Sequence, residues 1–477
     1  MDVEIIIPRA LWRSLRNHLS LDTENASAGT DEQLAFLLAG KSIDSQRTKL
    51  LAREMIPARH EDLELQSGSA VVPKQDFVLR TLNRCQSEGW QLIEVHSHPF
   101  DTSQRTTFSG IDWENDRRKM PALATLSTQP FMHATMVLGK NSADAHYYDA
   151  TMKEIGAVSR IVIIGMDDEG TGSVLEKLPT TSGIATRPNE GSIRPEHQRQ
   201  EPILGVDGQK ILQNTTVAVI GLGGLGSFVA LELAHLGVGR ITLIDPDVIE
   251  VSNLNRLLAA GASDEGKSKV EFYKDLIERA FPEVNVTPVA ASIIEESALS
   301  LAKQADLLVS CVDNHGARLV LNHLATRFLL PLIDGGSGIR LSRNRGLAAM
   351  GGQVQVVVPG AGCLECRGFI DAQKAAFDLA PPDFQQYERE HGYGTNEPAP
   401  SVVFLNGVVA SLQVGEVVSL LNPDGLKSLV PTSLYDALSR KLTPVQTRYD
   451  ELCPTCGKEG VQGVGDLAPI RVPGSSD

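Results

Sequence analysis

Gly221-Leu222-Gly223-Gly224-Leu225-Gly226 follows an apolar run, Thr216 to Ile220, and precedes a helix-forming run, Ser227 to Leu236. The next apolar run, Arg240 to Ile244, ends in Asp245. Strand, glycine turn, helix, strand and acid in that order form the nucleotide-binding βαβ unit. Glycines such as Gly221, Gly223, Gly224 and Gly226 make the tight turn and let backbone N–H groups approach phosphate at the helix N-terminus. Asp245 stands where an acid reaches ribose hydroxyls.

Outward from that unit, strands and helices alternate. The pattern predicts helices over 227–236, 266–280, 294–303 and 316–328, and strands over 216–220, 240–244, 284–290, 306–311 and 331–333. Such alternation implies an α/β, Rossmann-like, mainly parallel sheet with helices on both faces. Toward the N-terminus the pattern is α+β: a helix from Ala10 to His18, an apolar run from Leu34 to Leu38, and strands at Gln91 to Val95, His133 to Leu138 and Arg160 to Ile164. Between the two, residues 167–197 are rich in Gly, Ser, Thr and Pro without helical or strand period and read as a linker. Domains are therefore expected over 1–166 and 198–460, with a flexible tail over 461–477 and a long exposed loop over 377–400.

Composition sets limits. At 477 residues the chain supports two or three domains, each with its own core. A net charge of −15 argues against a nucleic-acid footprint. Neither a run of 18 apolar residues nor a signal-peptide pattern is seen, so no membrane role is expected and the cytoplasm is the expected location. Cys363-x-x-Cys366 and Cys453-x-x-Cys456 make two knuckles, each offering two thiolates. Four thiolates suit a closed, structural Zn²⁺ site better than unrelated free cysteines or a redox pair.

A second polar series follows the glycine turn: Asp247, Asn253, Arg256, Lys269 and, after the 306–311 strand, Asp313. Hydride transfer needs no such series. Activation of a carboxylate by ATP does, because attack at the α-phosphate needs converging cations and an acid that holds Mg²⁺. Arg256 and Lys269 are the candidate cations, Asp313 the candidate Mg²⁺ ligand, and Asn253 a group that could orient phosphate. Each alone reads as a surface charge or cap. In this order they resemble the activating enzymes of ubiquitin-like proteins, the ThiF/MoeB type that includes the bacterial enzymes adenylating sulfur carriers. The resemblance covers about 195 to 460 and includes Arg199-Gln200, Lys269-Val270-Glu271, Val312-Asp313-Asn314 and Gly351-Gly352-Gln353-Val354. It implies adenylation of the C-terminal glycine of a ubiquitin-like β-grasp protein, and a homodimer in which Arg199 reaches the partner subunit's ATP. It also implies a conjugating enzyme or thiol acceptor as a further partner. One departure stands out: no cysteine lies between Cys366 and Cys453, where many relatives carry the thioester-forming one.

In the N-terminal region His96 and His98 alternate along a strand end and so face the same way. Asp112 could supply a third ligand of an open zinc site, and a carboxylate such as Glu32 a general base. These residues resemble the JAB/MPN metalloproteases, which cut after the C-terminal glycine of ubiquitin-like proteins. The resemblance covers about 1 to 165 and assigns Glu32 as the family's glutamate, Ser109 as its oxyanion-stabilising serine, and His96, His98 and Asp112 as ligands of a catalytic zinc. Thirteen residues separate His98 from Asp112 where the family has ten; an insertion within Asp101 to Thr107 would absorb the difference, and Asp101 is an alternative ligand.

Together these readings predict a bifunctional enzyme using ATP, Mg²⁺ and Zn²⁺. The rival expectations are sulfur-carrier activation for cofactor biosynthesis, a nicotinamide oxidoreductase, and a non-catalytic scaffold.

Overall fold

The computed structural model describes residues 2–22, 31–44, 47–126, 132–148, 155–166, 175–182, 194–342, 346–390, 400–421, 430–447, 449–467 and 470. The chain forms two compact units. The described residues of the first fall within 1–169, 175–189 and 462–469, and those of the second within 190–461, with residue 470.

The first unit runs β1 (Asp2–Pro8), α1 (Arg9–His18), β2 (Leu34–Ile43), β3 (Arg47–Pro57), β4 (Leu63–Ser67), β5 (Ala70–Pro73), α2 (Gln75–Glu88), β6 (Gln91–Ser97), α3 (Gly110–Leu126), β7 (His133–Leu138), β8 (Ala143–Tyr148), β9 (Ile155–Ala157), β10 (Arg160–Ile164) and β11 (Leu175–Pro179). Nine strands form one mixed sheet in the order β11-β10-β1-β3-β2-β6-β7-β8-β9, and β4 pairs with β5 in a separate hairpin. β2 explains the layering. Its side chains alternate between faces, so Ala35, Leu37 and Ala39 join the core under α1, while Leu34, Phe36 and Leu38 meet Phe77 and Leu82 of α2 and Met120 and Leu123 of α3. A strand buried on both faces reads as a continuous apolar run, which is how Leu34 to Leu38 reads in the sequence.

Two expectations change here. The stretch assigned to a linker contains β11, which pairs antiparallel with β10. Its sequence, LEKLP, is only partly buried, as suits an edge strand, so it lacks an apolar period. Of the rest of that stretch, 167–174 and 183–193 lie outside the described residues, and Pro195–His197 form a short 3₁₀ turn. The stretch assigned to a tail also has a fixed place as far as residue 467. Gly465 bridges Lys41 in parallel, Asp466 N–H donates to the Lys41 carbonyl, and the Ile43 N–H donates to the Asp466 carboxylate. β6 pairs with β2 only as far as Ala39, so this strap takes the edge of β2 that β6 leaves open.

The second unit runs α4 (Glu201–Gln213), β12 (Thr216–Ile220), α5 (Gly224–Leu236), β13 (Arg240–Ile244), α6 (Lys269–Ala280), β14 (Asn285–Val289), α7 (Glu296–Ala302), β15 (Leu307–Ser310), α8 (His315–Phe328), β16 (Leu332–Leu341), β17 (Leu347–Val357), α9 (Ala372–Asp378), α10 (Pro382–Glu390), α11 (Val403–Leu421), β18 (Thr432–Asp436) and β19 (Lys441–Pro444). Its sheet has the order β14-β13-β12-β15-β16-β17-β18-β19. The strands from β14 to β16 pair in parallel as the alternation predicts, whereas β16 to β19 form an antiparallel extension. The stretch assigned to the 377–400 loop holds the end of α9, a break at 379–381 and all of α10, with 391–399 outside the described residues.

α11 is long and apolar enough to cross a membrane. Here Leu405, Val409, Val414 and Val417 are buried, and the helix packs on α5 and on β16 and β17. A core helix meets the same compositional test as a spanning one.

Candidate active sites

The glycine turn is shaped by its neighbours. Gly221 has φ +89°, and a Cβ there would stand 2.9 Å from the Cys311 carbonyl oxygen. A Cβ on Gly226 would stand 1.8 Å from the Gly221 carbonyl oxygen, and one on Gly224 3.2 Å from Arg256 Cβ. Gly223 differs: nothing lies within 4 Å of its Cβ position. Three glycines are thus demanded by packing, and the fourth borders open space at the N-cap of α5, where backbone donors await an anion.

Around this turn the structure gathers most of the polar series. Asp245 accepts from Leu222 N–H at 2.6 Å and from Asp247 N–H at 2.8 Å. Burial raises its pKa even though the Lys269 ammonium, 3.5 Å away, and these two bonds work to lower it. Lys269 opens α6, is buried, and also meets Asp247 at 2.8 Å. Asp247, with its side chain 65% exposed, remains open to a nucleotide. Arg256 Nη1 donates to the Ser252 carbonyl, and Asn253 Oδ1 accepts from Glu250 N–H, fixing the turn that carries both. Asp313 is exposed just past the carboxyl end of β15, where open α/β sheets hold their ligands. Spacing did not reveal what fixes that end. Arg318, in α8, donates to both oxygens of the fully buried Asp334 and to the Val312 carbonyl, and Ser310 donates to Asp334 as well.

Arg199 is not brought to this site within its own chain. His197 packs under Gly237, and Gln200 donates to the His235 carbonyl, both at the C-terminal end of α5. A 13-residue helix is about 20 Å long, and the glycine turn lies at its other end.

The four knuckle sulfurs converge. Cys363 Sγ lies 3.7 Å from Cys453 Sγ and Cys366 Sγ 3.8 Å from Cys456 Sγ, and all four lie within 4.8 Å of one another. Disulfide sulfurs would be about 2.05 Å apart. A tetrahedron with Zn–S distances of about 2.3 Å has edges of about 3.8 Å. The donor set therefore fits Zn²⁺. Glu365, between the first pair of thiols, accepts from Asn322 and Thr455, and His323 Nε2 lies 3.2 Å from it. This ties both knuckles to α8.

In the first unit β6 carries His96, with His98 just beyond its end, and the first turn of α3 carries Asp112. His96 Nε2 and His98 Nε2 each lie 3.4 Å from an Asp112 oxygen, and Glu32 Oε1 lies 3.7 Å from His98 Nε2. Ligands held at about 2.1 Å around a tetrahedral Zn²⁺ stand about 3.4 Å apart. Among the described residues His96 Nε2 and Glu32 Oε2 are buried without a hydrogen-bond partner, which a bound cation and a substrate would remedy. Burial raises the Glu32 pKa although His96 and His98 oppose it. Burial works to lower that of His98, but Asp112 and Glu32 prevail and raise it. Ser109 N–H donates to Asp112 Oδ2 at 2.6 Å, and Ser109 Oγ accepts from Asp112 N–H at 3.2 Å, which leaves the serine hydroxyl proton to donate elsewhere. Asp101 is not a member of the cluster; its carboxylate caps Ser103 N–H. The lengthened loop is pinned by Asn141 on the Thr102 carbonyl and by Ser142 Oγ, which accepts from Thr106 N–H.

Comparison with known proteins agrees with the second unit. The molybdopterin-synthase adenylyltransferase of Escherichia coli is 29% identical over 254 residues, 53% of this chain and 91% of its own. The SAMP-activating enzyme E1 of Haloferax volcanii is 29% identical over 265 residues, 55% of this chain and 88% of its own. A crystal structure of E. coli MccB with MccA-N7isoASN is 24% identical, covering 56% of this chain and 76% of that one, with a TM-score of 0.45. Residues 197–455, more than half of the sequence, match the model of the ThiF family, and the chain belongs to that family.

Proposed function

We propose that the second unit uses Mg-ATP to adenylate the C-terminal glycine of a small ubiquitin-like protein, and that the first cuts peptide or isopeptide bonds after such a glycine. The carrying observation is the convergence at the turn: Gly223 open to solvent, Asp245 bonded to Leu222 N–H, Lys269 on both acids, and Arg256 against Gly224. The turn's N–H groups and the two cations would meet the phosphates, and Asp313 would hold Mg²⁺. Because both Asp245 oxygens accept backbone N–H bonds, the exposed Asp247 would take the ribose in place of Asp245, the candidate read from the sequence. The partner's carboxylate attacks the α-phosphorus, the bond to the bridging oxygen breaks, and pyrophosphate leaves. The position of Arg199 suits a contribution to a second copy in a homodimer. Beside it Ile203 and Val206 expose apolar surface on α4.

For the first unit, Zn²⁺ held by His96, His98 and Asp112 would supply Lewis acidity toward the scissile carbonyl. Glu32, its pKa raised, takes a proton from the attacking water and returns it to the leaving nitrogen, and Ser109 donates to the developing oxyanion. A second reading, sulfur-carrier activation with an attached carrier-processing protease, draws support from the sequence between Cys366 and Cys453, which holds no acceptor cysteine.

The test is ATP–pyrophosphate exchange with candidate small proteins ending in glycine, with cleavage of the same proteins fused to a C-terminal extension. Exchange with one candidate that Asp313→Ala lowers by about 100-fold or more, and cleavage that Glu32→Gln lowers similarly, are the expected results. Exchange equal in parent and Asp313→Ala would overturn the adenylation site, and cleavage equal in parent and Glu32→Gln the hydrolytic one.

A further inference from the structure

Beside the histidine–aspartate cluster lies a cavity of about 360 Å³ whose lip includes His96 and Asp112. Val71 and Val72 of β5 and Val78 of α2 give it apolar walls. Two buried carboxylates also line it: Glu94 and Asp116 are 7% and 5% exposed. Lys119 Nζ lies 2.5 Å from Glu94 and 3.6 Å from Asp116. Asp116 also meets His146 Nε2 at 3.0 Å. Nothing in the hydrolytic reading uses this cluster. Four carboxylates line the cavity, Glu64, Glu94, Asp112 and Asp116, against the two cations Arg118 and Lys119, and an uncompensated buried charge is costly.

We propose that this cavity selects a basic residue, lysine or arginine, in the tail whose glycine is presented to His96 and Asp112. The aliphatic stem lies along the valines while the cationic head meets Glu94 and Asp116, offsetting the excess of carboxylates over cations in the lining. An extended tail advances about 3.3 Å per residue, so a side chain one to three residues before the glycine reaches the cavity. The proposal rests on the hydrolytic reading for where the tail lies. The preference itself is a binding property, independent of turnover.

The test is fluorescence anisotropy with the full-length protein and fluorescein-labelled pentapeptides ending in glycine. Each carries Arg, Lys, norleucine or Glu at one of the three positions before the glycine. Arg or Lys at one position is expected to bind at least ~10-fold more tightly than Glu there, with norleucine between. Glu94→Gln should shrink that ratio, Val72→Trp should fill the cavity and abolish it without touching a charge, and Asp275→Ala, an exposed change on α6, should leave it unchanged. Equal affinities at all three positions, or a preference that survives in both Glu94→Gln and Val72→Trp, would overturn the proposal. A preference that follows these variants in a protein that fails to cleave basic-tailed fusions would keep the cavity's role and remove the hydrolytic one.

Discussion

His133 shows how one buried group can set the acid behaviour of a domain. It lies fully buried on β7, and neither ring nitrogen has a hydrogen-bond partner among the described residues. Burial, with help from the Lys119 ammonium, pushes its pKa down to about 3. The unfolded chain takes up a proton near pH 6.5, the folded one only near 3, so stability is fully present above pH 6.5 and falls as pH drops below it. His133→Met should remove this loss. At pH 5 it should recover about 2 kcal/mol relative to the parent, read as melting midpoints at pH 7.5 and 5. An equal acid loss in parent and variant would place the proton elsewhere. Single residues were also the most legible level of the sequence where chemistry restricts the choice. Glu32, His96, His98 and Asp112, which the resemblance groups, lie close together, and Asp245 and Lys269, singled out as nucleotide-binding candidates, lie beside each other at the glycine turn. Glu94, Asp116 and Lys119 were not legible, because three charges spread over 25 residues form no motif until β6 and α3 pack together.

At the scale of elements, legibility followed burial. β12, β13 and β15 are buried parallel strands and read as apolar blocks between helices. β17 carries Gly351-Gly352 and exposes much of its length, and β19 is exposed throughout, so neither has a strong period. The strap was hidden for another reason: its bonds to β2 are largely backbone bonds between residues more than 400 apart. Gly40 is the point of closest approach, since a Cβ there would stand 2.1 Å from the Gly463 carbonyl oxygen. Gly40→Ala should therefore displace the strap and cost about 1–3 kcal/mol of first-unit stability, with faster hydrogen exchange at Ile43 and Asp466. Unchanged exchange at both amides would deny the strap a structural part.

At the scale of the whole molecule, the two sulfur knuckles and the histidine–aspartate cluster predict two zinc ions per chain. Elemental analysis should find about two equivalents in the parent and about one in either His96→Ala or Cys366→Ser. Only Cys366→Ser should also lower the melting midpoint of the second unit. One equivalent in the parent, lost with Cys366→Ser alone, would leave the first unit without its metal.

The strap has a consequence for synthesis. The first unit is discontinuous: its last segment, near Gly465, pairs with Lys41, and residues 190–461 of the second unit are encoded between them. Domains made at the ribosome generally fold from the N-terminus onward. Here the earlier domain must wait with the Lys41–Ile43 edge of β2 uncovered until residues 463–466, which follow residues 190–461 of the second unit, have been made. The first unit is begun first and completed only after residues 190–461 of the second, so a chain that stalls at residue 461 would carry the ThiF-family unit with a first unit that lacks its strap.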